Sequence, residues 1–454
     1  MSAETRFLKE FFTGLNERNV RYAVLRNSDS LPESLDGSDL DLLVNGREAA
    51  DAVIAVAVAS AKSNGGAMTT RYRTDAVVAC FAGKGCEGWW GCHIDIFVGL
   101  KYYGLPYVDA DKLIAGRVLE RDAFYRLCDE TDVVSFVKEI LYTGKTRKDY
   151  YPRAKASYSV RPQTIQSLFE GCLGRCGWRT LEGLFSDVCD DKVITFASRS
   201  IAKSIFRNGL RFAPVRTLVA KASNLCGRLH RILVRPGYCI AFLGTDGSGK
   251  STLIESVKPA LEQSLHAKIH YEHLRPNLLP PLARLAGKPE RKGPTTDPHG
   301  GKVAGRLASL VRFFYYYVDY AVGYWVKIYP MLVKRPSMVF FDRYYYEYMI
   351  DPRRCAVRLP RGWATFWSWF IPKPDLILCL GGNPEKIYAR KPETSLDEVK
   401  RQVAALQKFC DGNHRAVWID TTTSIEESVD LALSRIVFEM YKRYDSNGWK
   451  QVCV

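Results

Sequence analysis

The 454-residue chain is longer than one hydrophobic core usually organises, so two domains are the default expectation. Its 47% hydrophobic and 25% charged residues are ordinary for a globular protein and allow sizeable cores. A net charge of +16 suits phosphate-rich ligands, nucleic acid or an anionic membrane surface. No zinc-finger spacing, aromatic RNA-binding signature or helix-turn-helix is legible, so no nucleic-acid partner is expected and phosphorylated small molecules come first.

The thirteen cysteines are scattered with no CxxC pair. Cys80, Cys86 and Cys92, near His93, lie too far apart for paired zinc ligands. They read as reduced thiols in a cytoplasmic protein. The N-terminus lacks the apolar core of a signal peptide. Val311 to Val333 is the most apolar stretch, but Arg312, Asp319 and Lys327 argue against a membrane span. A buried, aromatic-rich helix is expected there.

In chain order, residues 1–150 predict a small α+β domain with a mixed sheet. The pattern gives a helix over Glu4–Arg18, strands Arg21–Leu25 and Leu40–Val44, and a helix over Arg47–Lys62. A hairpin of Ala76–Gly83 with Cys92–Val98 follows, then helical sequence over 111–145. Gly37-Ser38-Asp39-Leu40-Asp41 puts two carboxylates at i and i+2, on one face of a strand. Asp95 in His93-Ile-Asp95 offers a third, and three convergent carboxylates are what metal ions need for attack on a nucleotide phosphate. This resembles the minimal nucleotidyltransferase family, which implies a metal-binding triad of Asp39, Asp41 and Asp95. The family's glycine pair before the first Asp is replaced by Arg26-Asn27. An active nucleotidyltransferase, a degenerate binding fold and plain surface carboxylates all stay open.

Residues 151–236 predict a basic helical connector. From Lys192 to Thr245 there is no Asp or Glu but ten Lys or Arg, with Arg199, Lys203 and Arg207 at i+4 spacing. Peripheral contact with an anionic membrane through 192–236 is one reading, and a solvated interdomain helix the other.

Residues 237–454 predict a doubly wound parallel sheet of the α/β class. Strand candidates are Cys239–Leu243, Lys268–His273, Met338–Phe341, Leu376–Leu380 and Ala416–Ile419, with a long loop over 287–305. Gly244-Thr-Asp246-Gly247-Ser248-Gly249-Lys250-Ser251 matches GxxxxGK[ST] between an apolar strand and a helix over Thr252–Leu265. Such a loop curls backbone N–H groups around ATP phosphates, with Lys250 on the β- and γ-phosphates and Ser251 on Mg²⁺. Asp342-Arg343-Tyr344 closes another apolar strand, where Asp342 can hold Mg²⁺ or orient an acceptor and Arg343 can clamp phosphate.

These motifs resemble the thymidylate kinase family over roughly residues 237–445. The resemblance implies ATP-dependent phosphotransfer, with Arg275 in His273-Leu-Arg275-Pro276 meeting the acceptor phosphate. It also implies a basic lid at Ala389-Arg390-Lys391, with Arg390 as a catalytic group. Tyr344, and Asp319 in the tyrosine-rich Arg312–Tyr320 segment, are further acceptor-binding candidates. The residues that would stack on thymine have changed, so a small phosphate- or sugar-bearing acceptor other than dTMP is expected. Two other readings remain: modification of a surface polysaccharide or its lipid-linked precursor at the cytoplasmic membrane face, and a nucleotide-gated switch.

Overall fold

A computed structural model of the chain describes residues 1–128, 130–146, 149–186, 190–265, 269–285, 305–334, 337–360 and 362–446. The chain divides into two units, Met1–Val234 and Arg235–Val454.

In the first unit, Ser2 caps helix α1 (Ala3–Glu17) by accepting from the Thr5 amide. Phe7, Leu8, Phe11, Phe12 and Leu15, three and four apart, turn one stripe of α1 into the core. There follow β1 (Tyr22–Val24), β2 (Leu40–Val44), α2 (Arg47–Ser63), β3 (Gly66–Arg73), β4 (Val77–Gly85) and β5 (Gly88–Val98). The short strands β6 (Lys101–Tyr102) and β7 (Leu105–Pro106) precede α3 (Ala110–Ala115), β8 (Val118–Glu120), β9 (Phe124–Arg126) and α4 (Glu130–Thr143). Seven of these strands form one mixed sheet in the order β3-β4-β5-β2-β1-β9-β8. Its centre is a parallel pairing of β2 with β5 that sets Asp41 opposite Asp95.

Strand alternation sends side chains to two cores. Leu40, Leu42, Ile94 and Ile96 meet α1 and α2 on one face. Leu43 and Phe97 meet Phe136, Val137 and Ile140 of α4 on the other. That second core continues into α5 (Tyr150–Val160), α6 (Pro162–Ser186) and α7 (Asp191–Phe212) through Phe169, Leu173, Ile201 and Ile205. The helices α5, α6 and α7, expected to connect two domains, therefore complete the core of the first unit, and α8 (Pro214–Leu233), with only Thr217 buried, is the last helix of that unit. The helical expectation over 111–145 needs correction, because β8 and β9 interrupt it. Arg121 and Asp122 both take left-handed backbone conformations (φ +50° and +53°) and turn the chain between them without the glycine that usually marks such a turn.

The second unit is an all-parallel sheet of β10 (Tyr238–Gly244), β11 (Ile269–His273), β12 (Met338–Asp342), β13 (Leu376–Gly381) and β14 (Ala416–Asp420), in the order β11-β12-β10-β13-β14. β10, β12 and β13 are buried along their whole length, which explains their unbroken apolar runs. Helices α9 (Lys250–Leu265) and α17 (Ile425–Ser446) pack on one face. Helices α11 (Arg306–Gly323) and α16 (Leu396–Asp411) pack on the other. The remaining α-helices among the described residues are α10 (Leu282–Leu285), α12 (Tyr329–Lys334), α13 (Glu347–Ile350), α14 (Trp363–Trp367) and α15 (Pro384–Arg390), with a π-helical turn over Tyr324–Ile328 between α11 and α12 and a 3-10 turn over Ser368–Phe370 after α14. Strand order reverses beside β10, so its carboxyl end opens on the crevice where such sheets bind ligands.

The helix expected over Val311–Val333 is only half buried: Phe313, Tyr320, Ile328 and Leu332 face the core, whereas Val311, Val318, Val322 and Trp325 are exposed. Nearly all of the loop expected over 287–305, and Lys268, lie outside the described residues. Among the described residues, no helix is long and apolar enough to cross a membrane.

Candidate functional site

β10 ends at Gly244 and α9 begins at Lys250. The turn between them needs its glycines. Gly247 and Gly249 have φ of +81° and +77°, and a Cβ on Gly247 would lie 2.7 Å from the Ile387 carbonyl. Lys250 folds back so that Nζ donates to the carbonyls of Gly244 and Thr245, both at 2.8 Å. Burial and the neighbouring Arg343 charge lower its pKa to about 7 against the pull of Asp246, Asp342 and Glu347. The hydroxyls of Thr245 and Ser248 are buried without a hydrogen-bond partner, while Ser251 and Thr252 are exposed at the start of α9.

Asp342 ends β12, in register with Phe242 of β10 and His273 of β11. Tyr271 Oη donates to Asp342 Oδ2 at 2.8 Å, and His273 Nδ1 lies 3.7 Å from the same oxygen. Burial alone would raise this carboxyl's pKa. The His273 ring, the Lys250 charge, the Tyr271 hydroxyl and Arg343 outweigh burial and hold it at about 2. Asp342 Oδ1 is buried and has no hydrogen-bond partner.

Arg343 is held at φ +72°, with its amide bonded to the Phe242 carbonyl at 2.9 Å. The residue is 4% exposed, and its guanidinium reaches Asp246 Oδ1 at 2.7 Å and Glu347 Oε2 at 3.1 Å. Arg354 makes a second ion pair with Asp246. Arg343 thus ties the end of β12 to the glycine-rich loop. Arg390 is exposed at the end of α15, and Cβ of the next residue, Lys391, approaches within 3.1 Å of where a Gly247 Cβ would sit. The basic segment abuts the loop.

The acceptor candidates fall differently. Arg275 and Asp319 form a buried ion pair with each other. Asp319 also accepts from the Leu278 and Leu279 amides at 2.8 and 3.2 Å, and Arg275 donates to the Leu279 carbonyl at 2.8 Å. The pair fixes segment 275–279. Tyr344 is a core residue, fully buried, with its hydroxyl bonded to the Pro372 carbonyl at 2.6 Å. A cleft of about 920 Å³, bordered by Tyr346, Arg358, Lys408 and Phe409, includes no residue of the glycine-rich loop.

In the first unit the expected triad is rearranged. The groups that converge within 4.8 Å are Asp39, His93 and Asp95. His93 Nε2 lies 3.0 Å from Asp95 Oδ1, and Nδ1 lies 3.5 Å from the Cys80 sulfur and 3.9 Å from Asp39. Burial opposes charge on His93, but Cys80 and Asp95 outweigh it and raise its pKa. Asp41 instead pairs with Arg26 and is 1% exposed. Burial raises its pKa, and the Asp95 charge adds to this against Arg26 and Lys138. Asp41 and Arg26 border a cavity of about 210 Å³ with Lys138 and Tyr150. Two carboxylates and an imidazole are a donor set that a divalent transition ion accepts: the carboxylates suit Mn²⁺, and the imidazole adds a preference for ions such as Zn²⁺ or Fe²⁺.

Sequence reasoning singled out the loop, Asp342 and Arg343 but missed Tyr271 as the partner of Asp342, Arg354 as that of Asp246 and Glu347 as that of Arg343. Arg354 meets Asp246 across a sequence separation of 108, which no local pattern encodes. His93 did carry a signal, since it alternates with Asp95 along β5. No protein-family model matches the chain, and no curated protein matches it.

Proposed function

We propose that the second unit is a P-loop kinase that transfers the γ-phosphate of ATP to a small acceptor. The observation that carries this reading is the meeting, at one edge of the parallel sheet, of the Gly244–Ser251 loop and the buried Asp342 of an adjacent strand. The unpartnered Thr245, Ser248 and Asp342 oxygens, and glycines where a Cβ would clash, fit a phosphate cradle.

In this reading, backbone N–H groups of the loop bind the phosphates. Lys250 exchanges its two carbonyl bonds for phosphate oxygens and stabilises charge on the transferring group. Ser251 and Asp342 would hold Mg²⁺, which when bound neutralises phosphate charge and favours in-line transfer. Arg343 positions the loop through Asp246, and Arg390 approaches from the segment beside Gly247. Because Arg275, Asp319 and Tyr344 are engaged within the fold, acceptor recognition falls to other groups, and a dTMP-specific enzyme is not expected. Transfer of label from γ-labelled ATP to a panel of dTMP, other nucleoside monophosphates, sugars and sugar phosphates tests this. The reading expects transfer to an acceptor other than dTMP, and exclusive phosphorylation of dTMP would restore a plain thymidylate kinase.

A further inference from the structure

Helix α8 is mounted with its polar side inward. Thr217 is 4% exposed and packs against Gly209. Asn224 Nδ2 donates to Asp75 Oδ1 at 3.1 Å, and Lys221 and Arg228 lie over the Tyr103 ring at 5.5 and 4.5 Å. Gly104, at φ +88°, admits the Ala220 carbonyl oxygen to a position only 2.6 Å from where a Cβ would stand. The apolar residues point the other way. Leu218, Val219, Leu225, Leu229, Ile232 and Leu233 are between 49% and 80% exposed. At 100° per residue they gather on one side of the helix, and Val215, 72% exposed, extends the stripe.

We propose that this face lies in the headgroup–acyl boundary of an anionic lipid bilayer, making the protein a peripheral membrane protein. Charge selects the lipid. No Asp or Glu occurs from Lys192 to Thr245, against ten Lys or Arg; Arg216 of α8 and Arg207 and Arg211 near the end of α7 are exposed. A second copy of the chain would bring two such basic segments together, which like-charge repulsion opposes, whereas anionic headgroups attract them. The helix suggested by Arg199, Lys203 and Arg207 does not offer its apolar face, because Ile201 and Ile205 of α7 are buried in the core of the first unit. The lipid-binding element is α8. This inference does not depend on the phosphotransfer reading.

The test is co-sedimentation of the full chain with vesicles of phosphatidylcholine containing phosphatidylglycerol, and with vesicles of phosphatidylcholine alone. Two double variants accompany it: Leu225→Asp/Leu229→Asp on the apolar face, and Arg211→Glu/Arg216→Glu among the exposed arginines. All four positions are exposed, so thermal melts of both variants should match the wild type. The expected result is binding to the anionic vesicles, about tenfold or more weaker both for phosphatidylcholine alone and for each variant. Should the leucine variant melt early, the arginine variant decides. Absence of binding to anionic vesicles, or unchanged binding by a folded variant, would overturn the proposal. So would conversion of a dimer to a monomer by the leucine variant with vesicle binding intact, which would assign the face to a second copy.

Discussion

Lys250 is where function and stability pull apart. Its ammonium is held in a buried site, and its folded-state pKa of about 7 lies below the ordinary 10.5. Between those values the unfolded chain binds a proton that the folded chain does not. The contribution of this group to stability therefore grows as pH rises through that window and is constant below it. Lys250→Met should abolish the slope. Urea unfolding at about pH 7.5 and about pH 9 should show wild type gaining on Lys250→Met by at most ~1.4 kcal/mol per pH unit. Equal gains in both proteins would mean that Lys250 is not buried as described.

Arg343 and Asp342 separate in the same way. Arg343 compensates the buried Glu347 and shares the half-buried Asp246 with Arg354, so Arg343→Ala leaves Glu347 without its cation and should cost about 3–5 kcal/mol in unfolding. Arg343→Lys should keep the fold better and still turn over slowly, because an ammonium cannot make both contacts of the planar fork. Asp342→Asn should lower kcat by about 10²–10³-fold while ATP affinity changes only a few fold. A collapse of ATP affinity with unchanged kcat would remove Asp342 from the transfer step.

At the scale of elements, the first unit tests how far its core extends. Phe169, Leu173, Ile201 and Ile205 pack with Leu43 and Phe97 of the sheet, so a chain ending at residue 150 exposes a core it cannot close. It should be insoluble or degraded, whereas residues 1–234 should give a cooperative melt. A well-folded, protease-resistant 1–150 fragment would contradict this. The carboxylate cluster makes a second prediction. Millimolar Mn²⁺ should raise the melting midpoint of residues 1–234 by mass action, worth ~2.7 kcal/mol at a hundredfold excess over Kd. Asp39→Asn/Asp95→Asn should remove the rise and Asp41→Asn should not, because Asp41 is already paired with Arg26. A metal-insensitive midpoint would leave His93 as the cluster's internal cation.

At the scale of the whole molecule, much of the second unit was legible. Its strands are apolar runs bounded by helices, and its loop is a local string whose glycines obey local backbone rules. The first unit hid more. β8 and β9 turn through Arg121 and Asp122 rather than Asn-Gly, and β3 reads Gly66-Ala-Met-Thr-Thr-Arg-Tyr-Arg73, too polar to stand out. Residue roles hid most of all, because they depend on partners distant in sequence. Arg26 was a visible departure from a glycine pair, but only the fold shows it pairing with Asp41 and so separating Asp41 from the cluster of Asp39, His93 and Asp95. Arg275 and Asp319 each look like a ligand contact alone, and only together are they a buried ion pair.

The central claim is that the Gly244–Ser251 loop and Asp342 form one phosphoryl-transfer site. Its most direct test is multiple-turnover transfer of label from γ-labelled ATP to the best acceptor of the panel, comparing wild type with Lys250→Ala. The account predicts many turnovers for wild type and a loss of about 10²–10³-fold for the variant, equivalent to roughly 3–4 kcal/mol of transition-state stabilisation. Transfer by Lys250→Ala at the wild-type rate, or release of label from wild type only as inorganic phosphate whatever acceptor is present, would contradict it.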